Sequence, residues 1–289
     1  MAKIFETLES LNLTSKETSE LFSNKTRDVS DLNVYKDSSS GVIYIDDFFV
    51  GNEEYIAGEY RKKNIETQKL SDQDILDNKR RAEFFEKYYK MQTICDFGCG
   101  EGSFLKNTKS LVKKSYGVEI QKNYSEDLNN KESIECYDSI SQVPKKINSI
   151  FMFHVLEHLE DPIYHLSSIY DHLEDGGKLI VEVPHANDFL IKNMSLQKFI
   201  DFTLWSQHLI LHTQDSLYKF LKKAQFKNIT TFGVQRYPLS NHLYWLSNGL
   251  PGGHQTELNL LDTEELNKSY ENSLKKIDAT DTLIAIAEK

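Results

Sequence analysis

Three glycines at alternate positions, preceded by an acid, form the segment of this chain best suited to binding a ligand. The segment runs Asp96-Phe97-Gly98-Cys99-Gly100-Glu101-Gly102, between an apolar run and a helix-like stretch. Glycine carries no Cβ and tolerates positive φ, so a ligand can approach the bare backbone there. In open α/β sheets such a strand–turn–helix junction holds nucleotide-like ligands at the carboxyl ends of the strands. The loop therefore predicts a site for a flat, polar, adenosine-sized molecule.

The spacing of the glycines distinguishes two kinds of nucleotide site. A dinucleotide-binding loop reads G-x-G-x-x-G, whereas Ser103 stands where this chain would need the third glycine. The carboxylate of Asp96 would repel a pyrophosphate and suits a cationic or amino-acid ligand. About 20 residues further on, Glu119 ends a short strand candidate, at the distance where an acid meets a ribose hydroxyl pair. These features favour a ribose-bearing ligand with cationic or amino-acid character over a dinucleotide.

Histidines and a glutamate supply the groups that could move a proton. His154, Glu157 and His158 follow a continuous apolar run, and His208 lies in a later segment. Histidine is the natural general base near neutral pH, because its ordinary pKa lies there. If a helix begins at His154, the i, i+3, i+4 spacing places the first three side chains on one face, where they could also hold a metal. A base and a metal site both remain open from the residues alone.

Together these motifs resemble those of class I S-adenosylmethionine-dependent methyltransferases, in particular bacterial enzymes that act on small molecules and sugars. The D-x-G-x-G-x-G loop resembles their first motif, and the L-E-H-L-E-D-P run at 156–162 and the E-V-P strand end at 182–184 resemble later ones. The resemblance covers roughly residues 90–235 and the last strand. It implies an α/β, Rossmann-like fold with a mostly parallel seven-stranded sheet, a reversed edge strand and S-adenosylmethionine as cofactor.

The resemblance also implies roles for particular residues. Glu119 would bind the ribose with Ile120 beside the adenine ring, and Asp138 would lie near the adenine amino group. His208 resembles the histidine that faces the acceptor in sugar methyltransferases, which makes it the expected general base. The other expected residues are His158 and Glu157 for catalysis, Asp96, Gly98, Cys99, Gly100 and His154 for the cofactor, and Trp205, Asn241 and His242 for the acceptor. Simple packing explains the aromatic run around Asn241 and His242 equally well.

The expected reaction is methyl transfer to a hydroxyl of a nucleotide-linked or surface-polysaccharide sugar. One alternative is a metal-assisted O-methyltransferase of the RNA 3′-end or quinone-precursor type, in which His154 occupies a position that is usually acidic. That substitution would favour Zn²⁺ over Mg²⁺, so a divalent metal is possible but not preferred. A second alternative is a methyltransferase fold that binds the cofactor without catalysing transfer.

Apolar periodicity predicts the elements that must position these residues. Strands are expected before the glycine loop and at 115–121, 134–138, 149–155, 178–184, 229–235 and 282–287. A helix should begin at Pro162, another should be capped by Thr213, and a hairpin should join 32–35 to 42–45. We expect an N-terminal helical and hairpin lid at 1–90 and a methyltransferase domain at 91–289 with an insertion at 236–281.

Composition excludes several other classes of protein. The 289 residues carry a formal net charge of −10, and basic clusters such as Lys79-Arg80-Arg81 are short, which argues against nucleic-acid binding. No apolar run approaches the roughly 18 residues of a membrane span. The three cysteines form no C-x-x-C pair, which argues against a zinc ribbon and favours free, buried thiols. We expect a cytoplasmic enzyme whose partner is a small-molecule acceptor.

Overall fold

The computed structural model describes residues 3–51, 72–132 and 134–289. Eleven strands and eleven helices organise these described residues. The strands are β1 (Ser19–Ser23), β2 (Val34–Asp37), β3 (Ile43–Ile45), β4 (Thr93–Phe97), β5 (Lys114–Val118), β6 (Glu135–Tyr137), β7 (Ile147–Phe153), β8 (Leu173–Pro184), β9 (Ile210–Leu211), β10 (Lys227–Val234) and β11 (Thr282–Glu288). The helices are α1 (Ile4–Ser10), α2 (Asp72–Phe84), α3 (Glu86–Tyr89), α4 (Ser103–Thr108), α5 (Lys122–Asp127), α6 (Pro162–His172), α7 (Phe189–Lys192), α8 (Gln197–Thr203), α9 (Gln214–Lys223), α10 (Leu239–Asn248) and α11 (Glu264–Lys276).

Seven strands form the main sheet in the order β10-β11-β8-β7-β4-β5-β6. Strands β6, β5, β4, β7 and β8 run parallel, and β11 is antiparallel to both β8 and β10. The predicted Rossmann-like sheet with its reversed strand is therefore confirmed, and the reversed strand lies one position in from the edge. Because the parallel strands end at one edge of the sheet, the loops that carry the candidate site meet there.

The central strands are buried on both faces, as their continuous apolar sequences require. Ile94, Ile150, Phe151 and Met152 are fully buried. On one face, Phe104 of α4 packs against Phe151, with ring centroids 4.7 Å apart. This packing fixes α4, and with it the end of the glycine loop, against the middle of the sheet.

A second sheet of four strands, in the order β1-β2-β3-β9, joins the N-terminal segment to the rest of the chain. The hairpin β2–β3 forms as predicted, with Val34 opposite Ile45. Strand β3 also pairs with β9, where Ile43 lies opposite Leu211. Since β9 begins two residues after His208, the N-terminal hairpin helps to position the segment that carries this histidine.

Helix caps account for the predicted helix starts. Asp161 accepts a hydrogen bond from the Tyr164 N–H at the start of α6, where Pro162 occupies the first turn, and Thr213 accepts one from Ser216 at the start of α9. Strand β8 begins at Leu173, earlier than expected, because Leu173 pairs with Ile147 before the register shifts.

The predicted insertion lies between β10 and β11, and α10 and α11 are its main elements. The cap predicted at Ser71 lies outside the described residues. Within the described ranges, none of the helices is both long and apolar enough to cross a membrane.

Candidate functional site

The glycine loop connects β4 to α4 in a left-handed backbone conformation. The φ angles of Gly98, Gly100 and Gly102 are +77°, +56° and +75°. A Cβ added at Gly98 would lie 2.4 Å from a methyl carbon of Val155, which follows β7. Both the conformation and the close approach therefore require glycine at position 98. The contact also places the segment after β7 directly beside the loop.

Two buried carboxylates flank the loop. Glu119, at the end of β5, accepts hydrogen bonds from the backbone N–H groups of Gly100 at 2.7 Å and Gln121 at 2.9 Å. Asp96 is buried at the end of β4, and burial raises the pKa of its carboxyl group to about 7. The Glu119 charge raises this pKa further, whereas Arg81 lowers it. The loop is thus bordered by negative or readily ionised groups, which suit a ligand with positive charge.

A cleft of about 2460 Å³ opens over the loop and brings most of the predicted residues together. It is larger than the roughly 300–1,000 Å³ of a typical ligand pocket, so it has room for a cofactor and a second molecule. Ile120 lies 37% exposed on its wall, and Asp138 is exposed at the end of β6. The predicted residues that line the cleft are Asp96, Gly98, Cys99, Gly100, Glu119, Ile120, Asp138, His154, Glu157, His158, Trp205 and His208.

The cysteines are free thiols. Cys95 and Cys136 are buried, and Cys99 is partly exposed in the glycine loop. The Sγ atoms of Cys99 and Cys136 lie 3.9 Å apart. Cys99 therefore lines the cleft together with its neighbours in the glycine loop, while its thiol faces strand β6.

His154 lies at the end of β7 and is held by charged neighbours. Its φ is +56°, a strained value for a residue with a Cβ, and its N–H donates to the Glu182 carbonyl at 2.8 Å. Arg236 Nη1 lies 3.0 Å from Nε2 of the ring. Because arginine can only donate, Nε2 accepts, and Nδ1 carries the proton toward Glu157 Oε1 at 3.3 Å. His154 thus acts as a bridge between Arg236 and Glu157.

Glu157 and His158 lie in a 3-10 turn, not in the helix that the spacing suggested. Glu157 is fully buried; burial opposes its ionisation, but the hydrogen bond from His154 and the neighbouring histidines lower its pKa to about 2. His158 Nδ1 lies 2.8 Å from the carbonyl oxygen of Gln207. Since a carbonyl can only accept, Nδ1 carries a proton, and in the neutral ring Nε2 bears the lone pair. That Nε2 lies 4.0 Å from Glu157 Oε1.

His208 lies beside His158 from the loop that precedes β9, with ring centroids 4.9 Å apart. Burial, and then the nearby His158, lower the pKa of His208 to about 3, so the ring is neutral at physiological pH. Trp205 packs edge-on against both histidines, and the guanidinium of Arg27 lies 4.5 Å from the Trp205 ring centroid. The structure therefore brings His158, His208 and Glu157 together, as the sequence predicted.

Asn241 and His242 lie elsewhere. Neither belongs to the described residues that line the cleft. Both are buried in α10, where Asn241 accepts a hydrogen bond from the Gly252 N–H at 2.9 Å and His242 Nδ1 lies 2.6 Å from the Tyr270 hydroxyl. Their polar groups hold the insertion together, so the structure does not support a role in an acceptor wall. The insertion instead contributes Arg236 and Gln255 to the cleft.

An ion-pair network that the sequence did not predict borders the cleft. Glu182, in the buried part of β8, pairs with Arg80 at 2.8 Å and with Arg81 at 2.6 Å. The guanidinium of Arg236 forms an ion pair with the carboxylate of Asp77 in α2 and donates hydrogen bonds to both of its oxygens. One signal was available: a glutamate within the apolar run of β8 needs a cationic partner, because an unpaired buried charge is very costly. The network ties α2 and the insertion to the end of the sheet.

Comparisons with known proteins agree with this fold. Residues 59–231 match the model of a family described as a methyltransferase domain, whereas no curated protein matches the sequence. A SAM-dependent methyltransferase from Archaeoglobus fulgidus is similar in structure, with a TM-score of 0.52 and 17% identity over 81% of this chain and 99% of that one. A magnesium protoporphyrin IX methyltransferase from Synechocystis, solved with bound SAH, has a TM-score of 0.49 and 13% identity over 82% of this chain and 97% of that one. Because the family match spans more than half of its residues, this chain belongs to the methyltransferase-domain family.

Proposed function

We propose that this protein transfers the methyl group of S-adenosylmethionine to a hydroxyl of a small polar acceptor, a nucleotide-linked or surface-polysaccharide sugar. The observation that carries the proposal is the meeting, in one cleft, of the glycine loop with Glu119 and of the Glu157–His158–His208 cluster. The first set suits the nucleoside of the cofactor. The second set offers groups that can assist loss of the acceptor proton.

The charge and shape of the cleft around the glycine loop support the proposed binding of S-adenosylmethionine. S-adenosylmethionine carries a sulfonium and an ammonium group, and Asp96 and Glu119 are buried carboxylates that flank the loop. Ile120 offers an apolar surface for the adenine ring. The contact between Gly98 and Val155 would place the methyl donor close to the His154–His158 segment.

The acceptor end requires loss of a proton as the hydroxyl oxygen attacks the methyl carbon. The reaction is an in-line displacement in which the enzyme mainly supplies alignment and a proton acceptor. His208 was the base expected from the sequence, but its lowered pKa makes it a weak proton acceptor on its own. The Nε2 lone pair of His158, next to His208 and Glu157, supports a role for the cluster as a unit.

A cation on the cleft wall favours an acceptor that carries a negative charge. The Arg27 guanidinium stacks on Trp205, and no side-chain hydrogen bond or ion pair of this guanidinium is present among the described residues. Burial lowers the pKa of Arg27, which an anionic ligand would offset. Guanidinium groups bind phosphates in a bidentate manner. A nucleotide-linked sugar supplies such a phosphate. Lys3 and Thr7 line the same cleft as Arg27, which supports the lid role that we propose for residues 1–90.

Calorimetry and turnover together test this function. The protein should bind both S-adenosylmethionine and S-adenosylhomocysteine, and His158→Ala and His208→Ala should retain binding but lose turnover. Arg27→Gln should raise KM for a phosphate-bearing acceptor with little change in KM for the cofactor. Unchanged turnover in both histidine variants would remove the cluster from the chemistry, and failure to bind either nucleoside would overturn the proposed function.

A further inference from the structure

Two of the three thiols meet behind the glycine loop. The Sγ atom of Cys99, in the loop, lies 3.9 Å from that of Cys136, in β6, which is hydrogen-bonding distance for sulfur. Both cysteines are free. Because the S–S bond of a disulfide is about 2.05 Å long, a movement of the two sulfurs by about 2 Å would bring them to bonding distance.

Gly117 leaves the space in which these thiols meet. A Cβ at this position would lie 2.8 Å from Cys99 Sγ and 3.1 Å from Cys136 Sγ. Gly117 lies within β5 and does not have a positive φ, so its backbone conformation does not require glycine. A glycine inside a strand weakens the strand and often marks a close approach of other groups. The missing side chain therefore serves the contact between the two sulfurs.

The elements that carry the thiols are suited to small movements. Cys99 lies in the loop between β4 and α4, and β6 is a strand of three residues at the edge of the main sheet. Within that sheet β6 pairs with β5 alone. A loop and a short edge strand can approach each other without displacing the central strands.

Cys99 is the thiol that a dissolved oxidant reaches first. It is partly exposed and lines the cleft, whereas Cys136 is 7% exposed. The hydrogen bond with Cys136 and burial raise the pKa of Cys99, so its thiol is protonated at neutral pH. Since the thiolate is the reactive form, the pair should resist traces of oxidant and react with an excess.

We propose that Cys99 and Cys136 are a redox modification site, which hydrogen peroxide converts into a reversible disulfide that weakens the binding of S-adenosylmethionine. Such a bond would draw Cys99 toward β6. The Cys99 N–H donates to the Val118 carbonyl at 3.0 Å, and the Gly100 N–H donates to Glu119 at 2.7 Å. The displacement would strain both bonds, which order the loop. This inference rests on the proposed function, because it takes the loop as the cofactor site.

The oxidation proceeds in two balanced steps. The Cys99 sulfur attacks one oxygen of the peroxide, the O–O bond breaks, and the products are a sulfenic acid and one water. The Cys136 sulfur then attacks the Cys99 sulfur, and the hydroxyl group leaves with a thiol proton as a second water. The two sulfurs together lose two electrons, which the peroxide oxygens gain. A dithiol such as dithiothreitol reverses the reaction by thiol–disulfide exchange.

Peroxide treatment of the reduced full-length protein, then alkylation and mass spectrometry of non-reduced peptides, tests the link. We expect a disulfide between Cys99 and Cys136 in the wild type and in Cys95→Ala, and none in Cys136→Ala. Cys95→Ala is the matched control, since Cys95 is also a buried thiol. Thermal unfolding shows whether each reduced variant folds, and Cys136→Ser replaces Cys136→Ala if that variant does not.

Calorimetry on the oxidised and reduced protein tests the effect on the cofactor. The disulfide should lower the affinity for S-adenosylmethionine at least about tenfold, the effect of one lost buried backbone hydrogen bond. The loss should occur in the wild type and in Cys95→Ala, and dithiothreitol should restore the affinity in both.

The outcomes separate this inference from the proposed function. Oxidation of Cys99 without a link, a link that includes Cys95, or unchanged affinity in the disulfide-bonded protein would overturn the inference, while cofactor binding and turnover by the reduced protein would leave the proposed function standing. A disulfide between Cys99 and Cys136 in a protein whose reduced form binds no nucleoside would support the modification site, and would overturn the proposed function together with the effect on affinity.

Discussion

The carboxylate of Glu119 accepts a 2.7 Å hydrogen bond from the backbone N–H of Gly100, which links the end of β5 to the middle of the glycine loop. Its other oxygen accepts from the Gln121 N–H and closes the turn that carries Ile120 into the cleft. One side chain therefore orders both the loop and the next turn. The same carboxylate is the one proposed to bind the ribose, so cofactor affinity and loop order should depend on it together.

Replacement of Glu119 by alanine should weaken S-adenosylmethionine binding by at least tenfold. The change removes the acceptor of a buried backbone N–H, a loss worth about 1–3 kcal/mol, and it also removes the proposed ribose contact. Calorimetry on Glu119→Ala measures the effect, and Glu135→Ala, an exposed glutamate on the neighbouring β6, is the control. Equal affinity in the two variants would exclude the proposed role of Glu119.

Cofactor binding should strengthen as pH rises toward neutrality. The positive groups of the cofactor favour ionised Asp96, whose pKa burial raises to about 7, so binding below that pH must release the Asp96 proton. The dissociation constant should fall between about pH 6 and about pH 8, and Asp96→Asn should remove this dependence. Calorimetry in buffers of different ionisation enthalpy reports the released proton. A constant affinity in the wild type over this range would contradict the assignment.

The pKa of Asp96 should make the ligand-free protein less stable as pH rises toward neutrality, whereas the affinity for the cofactor increases. A carboxyl group with a pKa of about 7 in the folded state and about 4 in the unfolded state binds more protons when folded. Its contribution to stability is therefore lost as pH rises from about 4 to about 7. Urea unfolding should show a smaller loss over this interval in Asp96→Asn than in the wild type.

Gly98→Ala should cost more stability than Gly176→Ala. Both glycines have positive φ, +77° and +79°, so both substitutions carry a backbone cost of about 1–2 kcal/mol. A Cβ at Gly98 would also collide with Val155, whereas nothing lies within 4 Å of a Cβ at Gly176. Overpacking adds about 1–3 kcal/mol at position 98. Denaturant unfolding of the two variants tests the difference, and equal losses would contradict the close packing of the loop against Val155.

Glu182→Ala should destabilise the fold strongly. The substitution leaves Arg81 without its buried counter-charge and leaves Arg80 only its 3.4 Å pair with Asp77. Removal of one partner of a buried pair costs about 3–5 kcal/mol. Glu288→Ala breaks the more exposed pair with Lys178, which solvent screens, and should cost much less stability. Urea unfolding of both variants measures the free energy of unfolding. A similar small loss in both would show that the Glu182 network does not hold α2 in place.

Much of the fold followed from local patterns. The apolar runs that became β4, β7 and β8 are buried on both faces, and glycine, proline and threonine marked the adjacent turns and caps. The glycine loop, Glu119, His158 and His208 were found because each follows or precedes a recognisable strand or cap.

Contacts between distant segments were harder to predict. The pairing of Arg81 with Glu182 joins residues 101 positions apart, and no periodicity in the local sequence indicates this contact. Asn241 and His242 are polar residues within an aromatic run. This pattern occurs both in the wall of a binding site and in a buried hydrogen-bond network. The hydrogen bonds to Gly252 and Tyr270 inside the insertion distinguish the two, and they exist only after folding.

Transfer of a trideuteromethyl group tests the central claim most directly. The purified protein is incubated with labelled S-adenosylmethionine and either a panel of nucleotide-linked sugars or a cell extract, and the products are analysed by mass spectrometry. We predict S-adenosylhomocysteine together with a sugar product that carries the label on oxygen, both strongly reduced with Glu119→Ala and absent with His158→Ala. Tight binding of the cofactor without labelled product from any acceptor would contradict the account and would identify a methyltransferase fold that binds without catalysing.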